Sequence, residues 1–279
     1  MSGADISAAS GRAAAKVRLR DPYFAYRIVL GLYAAAFLVF LYAPLVMIAF
    51  LSFNDSPIIG FPFQGFSVKW YAKVLNTPVL LQSFGNSVMV GFLSAAIATV
   101  LALLLALGFR HAIRYKPGLL NLILVPIIIP GIVGGIVLLI FFGYLGVRSS
   151  LWTTVLVAHV NWVLPFAFLT LYPRLHRFDR ALEEAATDLG ARPLGVFRYI
   201  VWPLVRPAVI ATVLFAFSLS FDEFIRTIFV VGYDRTIPVQ FWSMIVDDLA
   251  PELPAMAVMI IFVSGFTSLI AFLVGRRAD

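Results

Sequence analysis

Long stretches of this chain contain no charged side chain, and polar residues gather in the connections between them. A helix that crosses a bilayer needs about 20 mostly apolar residues, because hydrocarbon offers no partner to its backbone polar groups. The fifth such stretch also carries three ionisable residues, Asp222, Glu223 and Arg226. The pattern predicts six membrane spans, at about 28–53, 84–107, 119–145, 151–172, 207–231 and 254–275.

The composition is that of a membrane protein. Apolar residues make up 62% of the 279 residues and charged residues 13%, whereas a soluble domain has about half and about a quarter. Soluble, disordered and collagen-like proteins are therefore excluded. The first span is too long for the core of a signal peptide and no small-residue cleavage site follows it, so we expect an uncleaved helix. The chain has no cysteine, and its three histidines show no metal-ligand spacing.

Proline and glycine residues lie inside several predicted spans, where neighbouring helices can satisfy the backbone groups that they free. We expect bends at the prolines and close helix packing at the glycines. Packing alone and a role in gating both stay open. The residues are Pro44, Pro126, Pro130, Pro165, Gly131, Gly134 and Gly135.

The net charge of +7 comes from 21 Lys and Arg against 14 Asp and Glu. Loops on the cytoplasmic side of a membrane are enriched in Lys and Arg. With six spans, one side holds both termini and the second and fourth connections, which together carry 16 of the 21 basic residues: five, three, six and two in chain order. We therefore expect both termini in the cytoplasm, with residues 1–27 as the N-terminal tail and 276–279 as the C-terminal tail. Residues 1–19 are expected to form a mobile basic tail or a solvated anchor at the lipid surface. Nucleic-acid binding is not indicated.

The connection between the fourth and fifth spans, residues 174–206, is patterned like folded structure and not like a plain linker. Asp179 is suited to cap a helix that ends at Gly190, because glycine readily takes the left-handed conformation. Pro193 fits the first turn of a second short helix, which Pro203 is expected to prevent from continuing. One face of the first helix is small and apolar, which predicts an amphipathic surface for a cytoplasmic partner. The residues of this face are Leu182, Ala185, Ala186 and Leu189.

Residues 179–203 of this connection, which we call the EAA loop, contain Glu184-Ala185-Ala186 followed by Gly190. This spacing resembles the EAA motif of the inner-membrane permease subunits of ABC importers. The motif consists of Glu-Ala-Ala, a glycine four residues later, and an isoleucine and a proline beyond it. Trp202 stands where the motif usually has leucine, which is a hydrophobic exchange. The matching residues are Glu184, Ala185, Ala186, Gly190, Ile200 and Pro203.

The resemblance implies an all-α membrane protein of the bacterial inner membrane, with six transmembrane helices in the type I ABC importer permease fold. It implies that the EAA loop docks on an ATPase subunit, with Glu184 as a charged anchor and Gly190 setting the bend. The implied partners are a homologous second permease, two ATPase subunits that bind ATP and Mg, an extracytoplasmic solute-binding protein and membrane lipid. This chain has no phosphate-binding motif and no protease or hydrolase motif, so we expect a transport subunit without a cofactor or catalytic site of its own.

Four further segments resemble the second permease of spermidine/putrescine importers. The solute that this implies is a polyamine or a similar small amine, moved from the periplasm into the cytoplasm by alternating access. Related permeases for ferric iron, sulfate, 2-aminoethylphosphonate and amino compounds share parts of these segments, so those solutes stay open, as does a stand-alone secondary transporter. The segments are 65–71, 86–87, 217–224 and 236–244.

Ionisable residues inside a bilayer are costly and usually face a bundle interior or an aqueous pathway. Asp222 and Arg226 have the spacing of a helical ion pair, whereas Glu223 points about 100 degrees away from Asp222 and has no evident partner on its helix. Glu223 is therefore a candidate anion for an ammonium group in transit, with a buried structural network as the alternative. Asn161 and Trp162 are further candidates, because aromatic faces attract ammonium groups, with packing as the alternative.

The last outer connection is acidic, with Arg235 as its basic residue. An acidic surface receives a binding protein or concentrates cations, and an ordinary solvated loop explains it equally well. Its acidic residues are Asp234, Asp247, Asp248 and Glu252.

Overall fold

The computed structural model describes residues 23–110, 114–247 and 249–276. The chain divides into two compact units, Met1–Leu51 and Ser52–Asp279. The first unit holds helix α1 (Phe24–Leu51), an apolar helix of 28 residues. Most of the predicted N-terminal tail and the last three residues of the C-terminal tail lie outside the described residues.

The second unit is built from helices, and its described residues include no strand. Two π-helical turns, Leu151–Val155 and Phe197–Val201, run directly into long helices. In chain order the helices are α2 (Lys69–Asn76), α3 (Pro78–Gly108), α4 (Lys116–Ile128), α5 (Gly131–Tyr144), α6 (Leu156–Arg177), α7 (Ala181–Asp188), α8 (Pro193–Val196), α9 (Trp202–Phe221), α10 (Thr227–Val230), α11 (Ile237–Asp247) and α12 (Leu253–Arg276).

Within the described residues, five helices are long and apolar enough to cross a membrane, or six if a bent pair counts as one span. The pair is α4 and α5, whose axes differ by 102°. Ile129 and Pro130 are extended between them, and proline lacks the N–H that would continue the hydrogen bonds of α4. The stretch 119–145 is therefore not one straight helix, and the bend falls at a proline where we expected one.

The fifth predicted span, 207–231, is also interrupted. Helix α9 ends at Phe221, and a single helical turn, α10, follows after a non-helical break. In that break Glu223 Oε1 accepts the backbone N–H of Arg226 at 2.8 Å. The Glu223 side chain thus satisfies a backbone N–H where the helix is interrupted.

Helix α3 packs along α6 and α9, and α9 also packs on α12. The buried face of α3 is mainly small: a Cβ atom on Gly91, for example, would lie 3.1 Å from Phe217 Cε2. Small residues let helices approach closely in a bilayer, where van der Waals packing holds them together. The small buried residues of α3 are Ser83, Ser87, Gly91, Ser94, Ala95, Ala98, Thr99, Ala102 and Ala106.

Candidate functional site

The EAA loop folds as two helices that meet at Gly190. Asp179 Oδ1 accepts the N–H of Ala181 at 2.9 Å, which satisfies a backbone donor at the start of α7. Gly190 has φ +85°, in the left-handed region, and its N–H donates to the Thr187 carbonyl at 2.8 Å. The local geometry agrees with the cap and the elbow predicted from the sequence.

The second helix of the EAA loop continues into the bundle, so the prediction that Pro203 stops it is wrong. Helix α8, the π-helical turn and α9 form one helical run of 29 residues. The N–H of Trp202 donates to the Phe197 carbonyl at the end of the π-helical turn. Pro203 follows directly after this turn, and the helical run continues past it to Phe221. The second half of the EAA loop is therefore joined to α9 by a continuous helix.

The motif residues of the EAA loop differ in exposure. Glu184, Ala185, Gly190 and Pro203 are exposed, whereas Ala186 and Ile200 are half-buried. No residue of α7 is fully buried. The loop also exposes large apolar side chains, as expected of a surface that another protein covers. These are Leu182, Leu189, Leu194 and Tyr199.

A groove of about 350 Å³ lies beside α7 and contains an ion pair that the sequence did not indicate. Arg110, just beyond the end of α3, pairs with Glu183, and the two side chains are 7% and 27% exposed. The guanidinium carbon of Arg110 lies 5.2 Å from the ring centroid of Phe178. Glu184, the glutamate of the motif, lines the same groove but is exposed.

The charges at the break after α9 form a pair different from the one predicted. Arg226 Nη1 lies 3.3 Å from both carboxylate oxygens of Glu223, and both residues are buried. The predicted pair between Asp222 and Arg226 is wrong, because the chain leaves the helix at Asp222 and the four-residue helical spacing no longer applies. Glu223 therefore has a partner, and a free anion for a passing ammonium group is not at this position.

A hydrogen-bonded chain that sequence reasoning missed connects this ion pair to the bundle core. His159 Nδ1 lies 2.6 Å from Ser220 Oγ and its Nε2 lies 2.8 Å from Thr227 Oγ1, which donates to the Glu223 carbonyl at 2.6 Å. Ser220 Oγ lies 2.7 Å from Ser94 Oγ. A neutral imidazole protonated at Nε2 is compatible with all of these contacts: Ser94 donates to Ser220 and Ser220 to His159 Nδ1, while His159 Nε2–H donates to Thr227. These polar residues are isolated in the sequence and lie in separate helices, so the sequence pattern does not predict that they form hydrogen bonds with one another.

Trp162 is already occupied by a cation of the protein itself. The guanidinium carbon of Arg226 lies 3.8 Å from the Trp162 ring centroid. The expected close packing at glycine is present here, since a Cβ atom on Gly135 would lie 2.5 Å from Phe229 Cδ2. The neighbouring Asn161 is exposed and does not join this cluster. Of the predicted pathway residues, the structure thus brings together Glu223, Arg226 and Trp162.

Asp222 instead lines an open groove of about 610 Å³ between the end of α9 and helices α11 and α12. Its Oδ1 accepts a hydrogen bond from Ser264 Oγ at 2.6 Å, and Asp222 is exposed. The rings of Phe224 and Trp242 line the groove, with centroids 5.5 Å apart. Ser218 and Ser268 continue the polar strip along α9 and α12. The groove combines one carboxylate, aromatic faces and hydroxyl groups.

The end of the bundle opposite the EAA loop is held by polar contacts. Lys73 Nζ lies 3.0 Å from Glu252 Oε2. Lys73 therefore joins Arg235 as a basic residue that offsets the negative charge of the last outer connection. Asp248 lies outside the described residues. At the same end a hydrogen bond from Lys69 lowers the pKa of Asp55. The side chain of Tyr233, on the connection after α10, is 99% exposed.

Comparisons with known proteins agree with this architecture. The family model described as binding-protein-dependent transport system inner membrane component matches residues 98–279, more than half of the chain. A crystal structure of a bacterial ABC transporter involved in the import of the acidic polysaccharide alginate matches with a TM-score of 0.68 and 16% identity, covering 92% of this chain and 97% of that chain. A second crystal structure, of the bacterial alginate ABC transporter with an alginate pentasaccharide-bound periplasmic protein, has a TM-score of 0.64 and 14% identity, with 92% and 93% covered.

Two relatives share considerably more sequence. The spermidine/putrescine transport system permease protein PotC of Escherichia coli K12 is 35% identical over 240 residues, 85% of this chain and 90% of its own length. The putrescine transport system permease protein PotI of the same strain is 32% identical over 250 residues, which cover 86% and 88%. This chain therefore belongs to the family of binding-protein-dependent transport system inner-membrane components, the multi-pass permease subunits of bacterial ABC importers.

Proposed function

We propose that this chain is a permease subunit through which an ABC importer moves putrescine, spermidine or a similar small amine from the periplasm into the cytoplasm by alternating access. Its similarity to PotC and PotI supports a polyamine as the solute. The observation in the molecule that carries the proposal is the groove at Asp222. It holds an exposed carboxylate together with the rings of Phe224 and Trp242.

The position of Asp222 favours an aqueous pathway. A carboxylate within a membrane span is costly unless it faces water or a partner, and usually marks a route for ions or solutes. Glu223 cannot serve in this way because Arg226 pairs with it, whereas the hydrogen-bond partner of Asp222 is the hydroxyl of Ser264, which carries no compensating charge. A carboxylate beside aromatic faces is the chemistry that binds an ammonium group. Asn161 stays a secondary candidate, since its side chain is exposed.

We infer that the EAA loop is the coupling element and lies in the cytoplasm, as the distribution of basic residues predicts. Exposed Glu184 serves as the anchor for an ATPase subunit, the small Ala185 and Ala186 permit close approach, and Gly190 sets the angle between α7 and α8. Ile200 and Pro203 belong to the helical run that carries the movement into α9. The exposed apolar side chains of the loop support this role.

The proposed complex contains a second, homologous permease, two ATPase subunits and an extracytoplasmic binding protein. ATP and Mg are bound by the ATPase subunits, and conformational changes there reach this chain through the EAA loop. The match to a family of binding-protein-dependent components supports the role of a binding protein. The Asp222 groove then faces the second permease across a shared pathway.

The test is reconstitution of this chain in proteoliposomes with its cognate second permease, ATPase subunits and binding protein. Uptake of radiolabelled putrescine and spermidine should require ATP and the binding protein. A control vesicle that carries this chain alone should take up neither amine, even with a proton or sodium gradient.

ATP-dependent uptake of 2-aminoethylphosphonate or ferric iron without amine uptake would show that the proposed solute is wrong. Gradient-driven uptake by the chain alone would instead support a secondary transporter.

A further inference from the structure

Helix α7 is joined to the bundle by an ion pair as well as by the chain itself. Arg110 and Glu183 are 73 residues apart in sequence and belong to the end of α3 and to α7. Arg110 is almost fully covered, with the ring of Phe178 on one side and the carboxylate of Glu183 on another. Phe178 precedes α7 and Glu183 belongs to it, so both contacts of the Arg110 guanidinium connect α7 and its start to the end of α3.

Helix α3 is suited to carry a displacement across the molecule. Its 31 residues correspond to a rod of about 46 Å at 1.5 Å per residue. In the half of α3 away from Arg110, Asn86 Nδ2 donates to the Arg235 carbonyl at 2.9 Å, and Ser87 Oγ accepts the N–H of Ile237 at 2.8 Å. One helix is thus linked to the EAA loop just beyond one end, and its other half contacts the connection between α10 and α11 and the start of α11.

We propose that the Arg110–Glu183 ion pair is a positioning link that transmits movement of the EAA loop to α3. It acts in parallel with the covalent route through Gly190 and α8 into α9. The proposal rests on the proposed function in one respect, that α7 responds to an ATPase subunit. Through α3, the same movement reaches the start of α11, whose Pro238 and Trp242 line the Asp222 groove.

The two adjacent glutamates of α7 then have separate roles. Glu183 is turned toward the bundle and pairs with Arg110, whereas Glu184 is exposed and free to meet another protein. Adjacent residues on a helix point about 100 degrees apart, so one helical turn can present a carboxylate to each side. The spacing of the motif alone does not distinguish these two carboxylates.

The test uses charge reversal in the assembled importer with its cognate binding protein. Arg110→Glu and Glu183→Arg should each lower the ratio of binding-protein-stimulated to basal ATP hydrolysis, and the amine taken up per ATP, by about five-fold or more, the lower range of coupling between sites. The double variant Arg110→Glu with Glu183→Arg should recover most of both ratios, because it restores an ion pair. Both ratios are measured per assembled complex, so a loss of folded protein alone does not change them.

The matched control is Arg114→Gln, which removes a positive charge from the same connection at an exposed position and should leave both ratios unchanged. Normal ratios in the single variants, or no recovery in the double variant, would overturn the link. If the wild-type complex transports no amine, the proposed solute is wrong. The ratio of stimulated to basal ATP hydrolysis then still tests the link.

Discussion

Arg226 is held by two groups of different chemistry, the carboxylate of Glu223 and the face of Trp162. The pair is buried, so each charge depends on the other for compensation. Removing one member of a buried ion pair leaves an uncompensated charge and costs about 3–5 kcal/mol, whereas removing both charges together costs much less. The adjacent Asp222 is exposed and bonded to a hydroxyl group, so neutralising it has no such consequence.

Glu223→Gln is therefore expected to destabilise the permease. The yield of purified permease complex and its melting temperature in detergent should both fall, and the double variant Glu223→Gln with Arg226→Gln should recover most of the loss. Asp222→Asn is the matched control, since it neutralises the neighbouring carboxylate and should leave the melting temperature unchanged. An unaffected melting temperature in Glu223→Gln would contradict a stabilising ion pair.

Asp222→Asn is expected to impair transport in an intact complex. The KM for putrescine should rise about ten-fold or more, since a hydrogen bond to a charged group contributes about 1.5–3 kcal/mol. Asp222→Glu should retain part of the activity because it keeps the charge. Uptake kinetics in the reconstituted importer provide the measurement, and a normal KM in Asp222→Asn would exclude this carboxylate from the solute pathway.

At the scale of elements, two interrupted spans meet inside the bundle. The bend between α4 and α5 brings the glycines of α5 against the break after α9 and against α10. Gly131 approaches Ile225 in the break, and Gly135 approaches Phe229 in α10. Backbone that leaves the helix at membrane depth is tolerated where it is buried in protein. Each interruption is therefore covered by the other, and together they surround the Glu223–Arg226 pair.

The elbow between α7 and α8 is the element for which a single substitution is most informative. Gly190→Val should place a β-branched residue at φ +85°, which costs about 1–3 kcal/mol and changes the angle of the elbow. No heavy atom lies within 4 Å of a Cβ atom at this position, so the effect comes from the backbone and not from a clash. Uptake and stimulated ATP hydrolysis should be lost while the protein still inserts in the membrane.

Gly195→Ala is the matched control for this variant. Gly195 lies in α8, where a Cβ atom would also meet nothing within 4 Å, and its φ lies outside the left-handed region. Alanine should therefore leave uptake and stimulated ATP hydrolysis unchanged. Normal coupling in Gly190→Val would show that the elbow has no role in transmission.

For the whole molecule, the orientation in the membrane is a prediction from the basic residues. The absence of native cysteine makes it directly testable. Tyr233→Cys, at a position that is 99% exposed, should react with a membrane-impermeant maleimide in spheroplasts. Leu189→Cys, at a position that is 90% exposed, should react only after lysis. The opposite pattern would reverse the topology and place the EAA loop away from the ATPase side.

The sequence by itself determined the membrane class, the helical fold, the resemblance to ABC importer permeases and the helix and elbow around Gly190. These features depend on local properties: apolar length, the conformational freedom of glycine and the spacing of a short motif. The predicted Asp222–Arg226 pair and the predicted helix stop at Pro203 were wrong because both assumed regular, isolated helices. For Glu223 the structure shows the buried network that the sequence left open as an alternative.

Only the tertiary structure decided which charges meet. The partner of Glu183 lies 73 residues away at the end of another helix, and His159 bridges two other segments of the bundle. Whether Asp222 or Glu223 is the free carboxylate depends on where α9 ends. That end is set by hydrogen bonds within the break and by packing against α5, which the apolar pattern of one span does not encode.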